Sequence, residues 1–103
     1  MGTSQRVLVV EGEATLRRQL KGGLAQRGYE VEECEEGLDA LARIQGARAA
    51  TLFHSVILNI RLPDIDGLKL FQAIQSTYPE LPVVLISGAG IENPTEAARD
   101  RRR

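Results

Sequence analysis

The sequence predicts an α/β chain built as a doubly wound parallel sheet, with helices in the crossovers. Three observations carry that prediction. Short apolar runs recur at Val7–Val10, Val56–Leu58 and Val83–Ile86. Stretches with helical spacing of apolar residues lie between them. The runs are unbroken rather than alternating, the pattern of strands covered on both faces. The resulting order, β-α-β-α-β-α-β, implies right-handed crossovers.

Each element follows from its residues. Arg6 to Val10 reads as the first strand and ends in Glu11-Gly12-Glu13. Ala14 to Arg27 follows with Leu16, Leu20 and Leu24 as a narrow apolar stripe, and Arg17, Arg18 and Lys21 on the wet side. Gly22-Gly23 weakens this helix, because each Gly costs about 1 kcal/mol relative to Ala. Gly28 is a natural stop. Tyr29 to Cys34 carries Glu30, Glu32 and Glu33 and reads as an edge strand with one wet side. Leu38, Leu41, Ala42 and Ile44 make a second short helix after Gly37. Gly46 to Phe53 is a connection. Ser55 to Ile60 is the third strand, and Leu68, Leu70, Phe71 and Ile74 mark a third helix ending before Pro79. Leu81 to Ser87 holds the fourth strand. Asn93-Pro94-Thr95-Glu96 is a helix-start signal, with Asn as N-cap and Pro at the first helical position.

Length and composition bound the class. At 103 residues the chain is expected to form a single domain. A formal charge of −1 with 26% charged residues gives no sign of nucleic-acid or membrane binding. The terminal Arg99, Arg101, Arg102 and Arg103 read as a solvated helix end. Cys34 is the one cysteine and reads as a small buried hydrophobe. His54 has no second ligand at metal spacing. No apolar run approaches the about 20 residues of a membrane span. No signal-peptide pattern precedes the first strand, so a cytoplasmic protein is expected.

The fourth strand is as apolar as an inner strand, yet no fifth strand is expected to cover its outer edge. The chain reads as stopping one strand and one helix early. An open edge at Val83–Ile86 is a pairing hazard, so a homodimer or a swapped segment is expected to cover it.

Function in open α/β sheets sits beyond the carboxyl ends of the strands. The third strand lifts one polar side chain, Asn59, to that end, and Pro63 and Gly67 bracket the turn that follows. Together with Val7-Leu8-Val9-Val10-Glu11-Gly12-Glu13, Gly28-Tyr29-Glu30-Val31, Gly37-Leu38-Asp39-Ala40-Leu41, Leu62-Pro63-Asp64-Ile65-Asp66-Gly67 and Pro82-Val83-Val84-Leu85-Ile86-Ser87-Gly88, this strand resembles the receiver domain of two-component response regulators. The pieces stand in the family's order from about residue 6 to residue 98. Ser87-Gly88-Ala89-Gly90 followed by Glu96-Ala97-Ala98 is most similar to the nitrogen-regulatory, enhancer-binding kind.

The resemblance implies a flavodoxin-like (CheY-like) fold with strand order 2-1-3-4-5, here 2-1-3-4 and truncated before the fifth strand. It implies an Asp on the third strand that takes a phosphoryl group from a histidine kinase. Mg²⁺ would be held by an acidic pair after the first strand, that Asp and a backbone carbonyl. A Ser or Thr after the fourth strand and a Lys after the fifth would bind the phosphoryl oxygens.

The chain departs from this pattern at several points. Asn59 stands at the phosphoacceptor position, and an amide nitrogen is not a nucleophile. Gly12 stands at the second position of the acidic pair, leaving Glu11 as a lone carboxylate that is expected to be exposed. The vestigial Mg²⁺ positions are therefore Glu11, Gly12, Asn59 and the carbonyl of Arg61, and Ser87 keeps the phosphoryl-binding hydroxyl position. No cofactor is expected unless that residual Mg²⁺ site functions. Asn59 also reads as a strand-end cap bonded to nearby backbone. Glu11 and Glu13 read as favourable charges at a helix start, and Asp64 and Asp66 as turn formers.

The expected function is a non-enzymatic pseudo-receiver acting through protein–protein contacts. Its partner would be a histidine kinase or an attached output domain, with nucleic acid reached only through such a domain. The alternative is a phosphoacceptor receiver seen as a truncated or Asp-to-Asn substituted inactive form. A flavodoxin-like binder of flavin or nucleotide is a third reading, disfavoured because Glu11-Gly12-Glu13 lacks a phosphate-binding glycine pattern and is acidic.

Overall fold

Strand β1 (Arg6–Val10) opens the fold and leads into helix α1 (Ala14–Gln26). Strand β2 (Glu30–Cys34), helix α2 (Gly37–Gln45), strand β3 (Ser55–Asn59), helix α3 (Gly67–Thr77) and strand β4 (Val83–Ile86) follow. A computed structural model describes residues 5–47, 52–87 and 91–92. The four strands lie parallel in the order β2-β1-β3-β4, as the apolar runs and short crossovers require. The helix expected after Asn93 and the arginines at the chain's end lie outside the described residues.

One expectation needs correction. The outer edge of β4 is not fully open. Residues Ile91–Glu92 form a short strand β5 that runs antiparallel to β4, pairing Leu85 with Glu92 and Ile86 with Ile91. Only the Val83–Val84 half of that edge lacks a strand partner among the described residues. Strand β5 is not the parallel fifth strand of the resemblance. It reverses direction within a few residues of β4, and two residues are too few for any pattern to announce a strand.

The core divides by the alternation of side chains across a strand. Leu8, Val10, Val56, Leu58 and Leu85 cluster with Ala40 and Ile44 of α2 and with Leu68, Leu70, Phe71 and Ile74 of α3. Val7 and Val9 are equally buried but point to the opposite face, where α1 packs on β1 and β2. The Leu16, Leu20 and Leu24 stripe of α1 is half-buried there. Strand β2 is an edge, and its glutamates are ion-paired. Glu30 and Glu32 meet Arg6, Glu32 also meets Arg43, and Glu33 meets Arg17 and Lys21. Pairs this exposed contribute at most about 1 kcal/mol each. Burial pushes the Cys34 thiol up to about 11, and its hydrogen bond to Asp39 adds to the shift. Cys34 is a packing residue with little thiolate to react.

Helix α2 starts without a local side-chain cap, because Glu36 makes none. The cap comes from another loop. Asp64 accepts from the Gly37 amide at 2.8 Å and from the Leu38 amide at 2.9 Å. Desolvation raises the Asp64 carboxyl, but hydrogen bonds from the Leu38, Gly37, Asp64 and Ile65 amides together outweigh it and hold the group below its ordinary 3.8. Asp64→Ala is expected to lose about 1 kcal/mol in urea unfolding at neutral pH. A folded-state pKa below the unfolded one gives stability that is complete above 3.8 and lost as pH falls through the lower value. The gap between wild type and variant should therefore close in strong acid. A gap unchanged there would show that the charge is not the cap.

Candidate functional site

The carboxyl ends of β1, β3 and β4 open onto a cleft of about 480 Å³. Glu11, Gly12, Glu13, Glu35, Asn59, Arg61, Pro63 and Ser87 line it. Strand register builds its centre. Val9 pairs with Ile57 and Val10 with Leu58, so the next residues, Glu11 and Asn59, leave adjacent strands side by side. Both are buried, at 2% and 5% exposure.

The expectation of an exposed Glu11 is therefore corrected, and the reason is local. The Asn59 Nδ2 amide donates to Glu11 Oε1 at 2.5 Å, and the Glu13 backbone amide donates to Glu11 Oε2 at 2.9 Å. Arg17 reaches back to the Glu11 carbonyl at 2.8 Å and ties α1 to the loop. The other end of Asn59 accepts from the Arg61 amide at 2.8 Å. Asn59 thus makes the backbone bond of a strand-end cap and also a bond to Glu11 that no local pattern announces. Ser87 sits half-buried at the rim, and Arg61 is exposed.

The donor set does not fit Mg²⁺ as arranged. A hard divalent ion wants several free oxygens in near-octahedral geometry. Here both Glu11 oxygens and Asn59 Oδ1 already accept hydrogen bonds. Gly12 supplies no carboxylate, and a Cβ at that position would stand 3.1 Å from Pro63 Cδ. No group of three or more His, Cys, Asp or Glu could hold a metal ion among the described residues. His54 lies at the other end of the sheet, where Nδ1 accepts from the Arg6 amide at 2.8 Å.

The loop after β3 is shaped by close packing that sequence reading reached only as a turn. Asp66 caps α3 by accepting from the Leu68 amide. Gly67 donates to the Ile60 carbonyl at 2.9 Å, and any Cβ at this position would run into the strand-end backbone of Asn59 and Ile60. Gly37 is enclosed by Ile65, Leu70 and Leu62. No helix among the described residues is long and apolar enough to cross a membrane.

Comparison with known proteins agrees with this architecture. A family model described as the response regulator receiver domain matches residues 7–101. The response regulator MprA of Mycobacterium sp. (strain KMS) is 32% identical over 82 residues, covering 80% of this chain and 34% of that protein. The chain thus spans about a third of the length of such curated relatives. Among solved structures, the response regulator TrrA of Thermotoga maritima in complex with Mg²⁺-BeF is 31% identical, with a TM-score of 0.74 over 81% of this chain and 69% of that one. The chemotaxis response regulator CheY4 of Vibrio cholerae is 30% identical, with a TM-score of 0.72 over 81% and 68% of the two chains. With this match over nearly its whole length, and with four parallel strands in the order β2-β1-β3-β4, the chain belongs to the response regulator receiver domain family.

Proposed function

We propose that this receiver domain signals through protein–protein contact without accepting a phosphoryl group, as a pseudo-receiver. The observation that carries the reading is the state of Asn59. Its amide nitrogen has no free lone pair to attack phosphorus, and both of its polar ends are engaged in hydrogen bonds. Phosphoryl transfer depends on a positioned nucleophile and on neutralised charge. The cleft offers neither, because Glu11 has no second carboxylate beside it at Gly12. The second departure in the same cleft, Gly12 beside Glu11, favours this reading over a single inactivating change at position 59. Asp64 is no substitute acceptor, since its carboxylate is committed to the α2 amides.

A histidine kinase or an output domain in a longer chain is the proposed partner, in a cytoplasmic setting. TrrA, a 31%-identical neighbour, has been crystallised with the histidine kinase ThkA, which supports a kinase-facing surface on this fold. Incubation with acetyl phosphate and Mg²⁺, followed by intact-mass measurement, should leave the mass of the chain unchanged. An added phosphoryl group on the wild-type chain would refute the proposal.

A further inference from the structure

Glu11 poses an electrostatic problem that the cleft solves in an uncommon way. A carboxylate at 2% exposure needs a counter-charge or a full set of donors. Among the described residues no ion pair reaches it, and Arg17 binds its carbonyl instead. What meets the carboxylate is neutral: the Asn59 amide on Oε1 and the Glu13 amide on Oε2. The orientation of the Asn59 amide is forced. Turned over, Nδ2 would face the Arg61 N–H and Oδ1 would face Glu11 Oε1, donor against donor and acceptor against acceptor. Neither an ionised Asp nor an apolar residue could serve both neighbours at once.

We infer that the Asn59 side-chain amide does here the work that a divalent cation would do between the first and third strands. It gives the buried Glu11 its donor, bridges β1 to the loop after β3, and sets the cleft in one arrangement that needs no metal. Asn59 is a positioning residue of this chain rather than the remnant of a lost acceptor. The inference rests on the proposed reading of the cleft as unphosphorylated and adds to it a reason for amide chemistry at position 59.

The test uses Mg²⁺ alone as the probe and thermal unfolding as the readout. The wild-type chain should melt at the same temperature in a chelator and in millimolar MgCl₂. Asn59→Asp places two carboxylates at hydrogen-bond distance and removes the donor. Its folding equilibrium constant in chelator should fall by about tenfold to a hundredfold, and MgCl₂ should restore part of the loss. Where Asn59→Asp does not fold in chelator, adding Glu11→Gln to the same chain should recover folding, because it returns a donor to the pair.

Stabilisation of the wild-type chain by MgCl₂ would overturn the inference. So would an Asn59→Asp chain as stable as wild type in chelator, or a double variant no more stable than Asn59→Asp. These outcomes are separable from failure of the proposed function. Wild type that responds to Mg²⁺ but takes no phosphoryl group from acetyl phosphate sinks the inference and leaves the pseudo-receiver reading standing.

Discussion

Gly67→Ala is expected to lower stability by about 3 kcal/mol, a large share of the about 5–15 kcal/mol that holds a domain of this size. The cause is steric and lies in the backbone. A Cβ on Gly67 would come within 2.3 Å of the Asn59 carbonyl oxygen, 2.5 Å of the Ile60 carbonyl oxygen and 2.6 Å of the Ile60 Cα. No side chain can rotate out of the way, so α3 or the end of β3 has to move. The bond from the Gly67 amide to the Ile60 carbonyl would weaken with it. Urea unfolding should show a sharply lower midpoint, and a midpoint equal to wild type would show that the loop adapts freely.

The second large effect is expected in the sheet itself. Leu58 is fully buried in β3, flanked by Val10 on one side and Leu85 on the other. Leu58→Ala should cost about 2–5 kcal/mol, towards the upper end, because hydrogen-bonded strands cannot collapse into the cavity. Leu52→Ala is the control. Leu52 is 55% exposed, and its truncation should shift stability by no more than about 0.5 kcal/mol. Equal losses for the two variants would contradict this account of the core.

Much of the fold was legible because its signals are local and repeated. Val7 to Val10 announce a strand buried on both faces, and each of them is buried. The glutamates of β2 announce an edge, although not the arginines that pair with them, which lie on other elements. The centre of the cleft was legible only in part. Asn59 reads as a strand-end cap, but its bond to Glu11 spans 48 residues and depends on strand register. Neither residue's neighbourhood in sequence announces the burial of Glu11. The same holds for Asp64. Its own stretch suggests a turn, while its work is to cap a helix that starts 27 residues earlier. Strand β5 escaped notice for a different reason. Two residues carry no periodicity, and only the exposed edge of β4 gives them a partner.

The reversed direction of β5 has a consequence for how the domain is wired. In β1, β3 and β4 the chain runs towards the cleft, so each strand delivers its next residue to the same rim. Strand β5 runs the other way: it passes Ile86 first and Leu85 second, heading for the end of the sheet where Val83 begins. At Glu92 the polypeptide is travelling away from Asn59. The polarity of one short ladder thus separates the heading of the chain from the rim that its parallel strands share, and the backbone bonds between β4 and β5 are the link between the two.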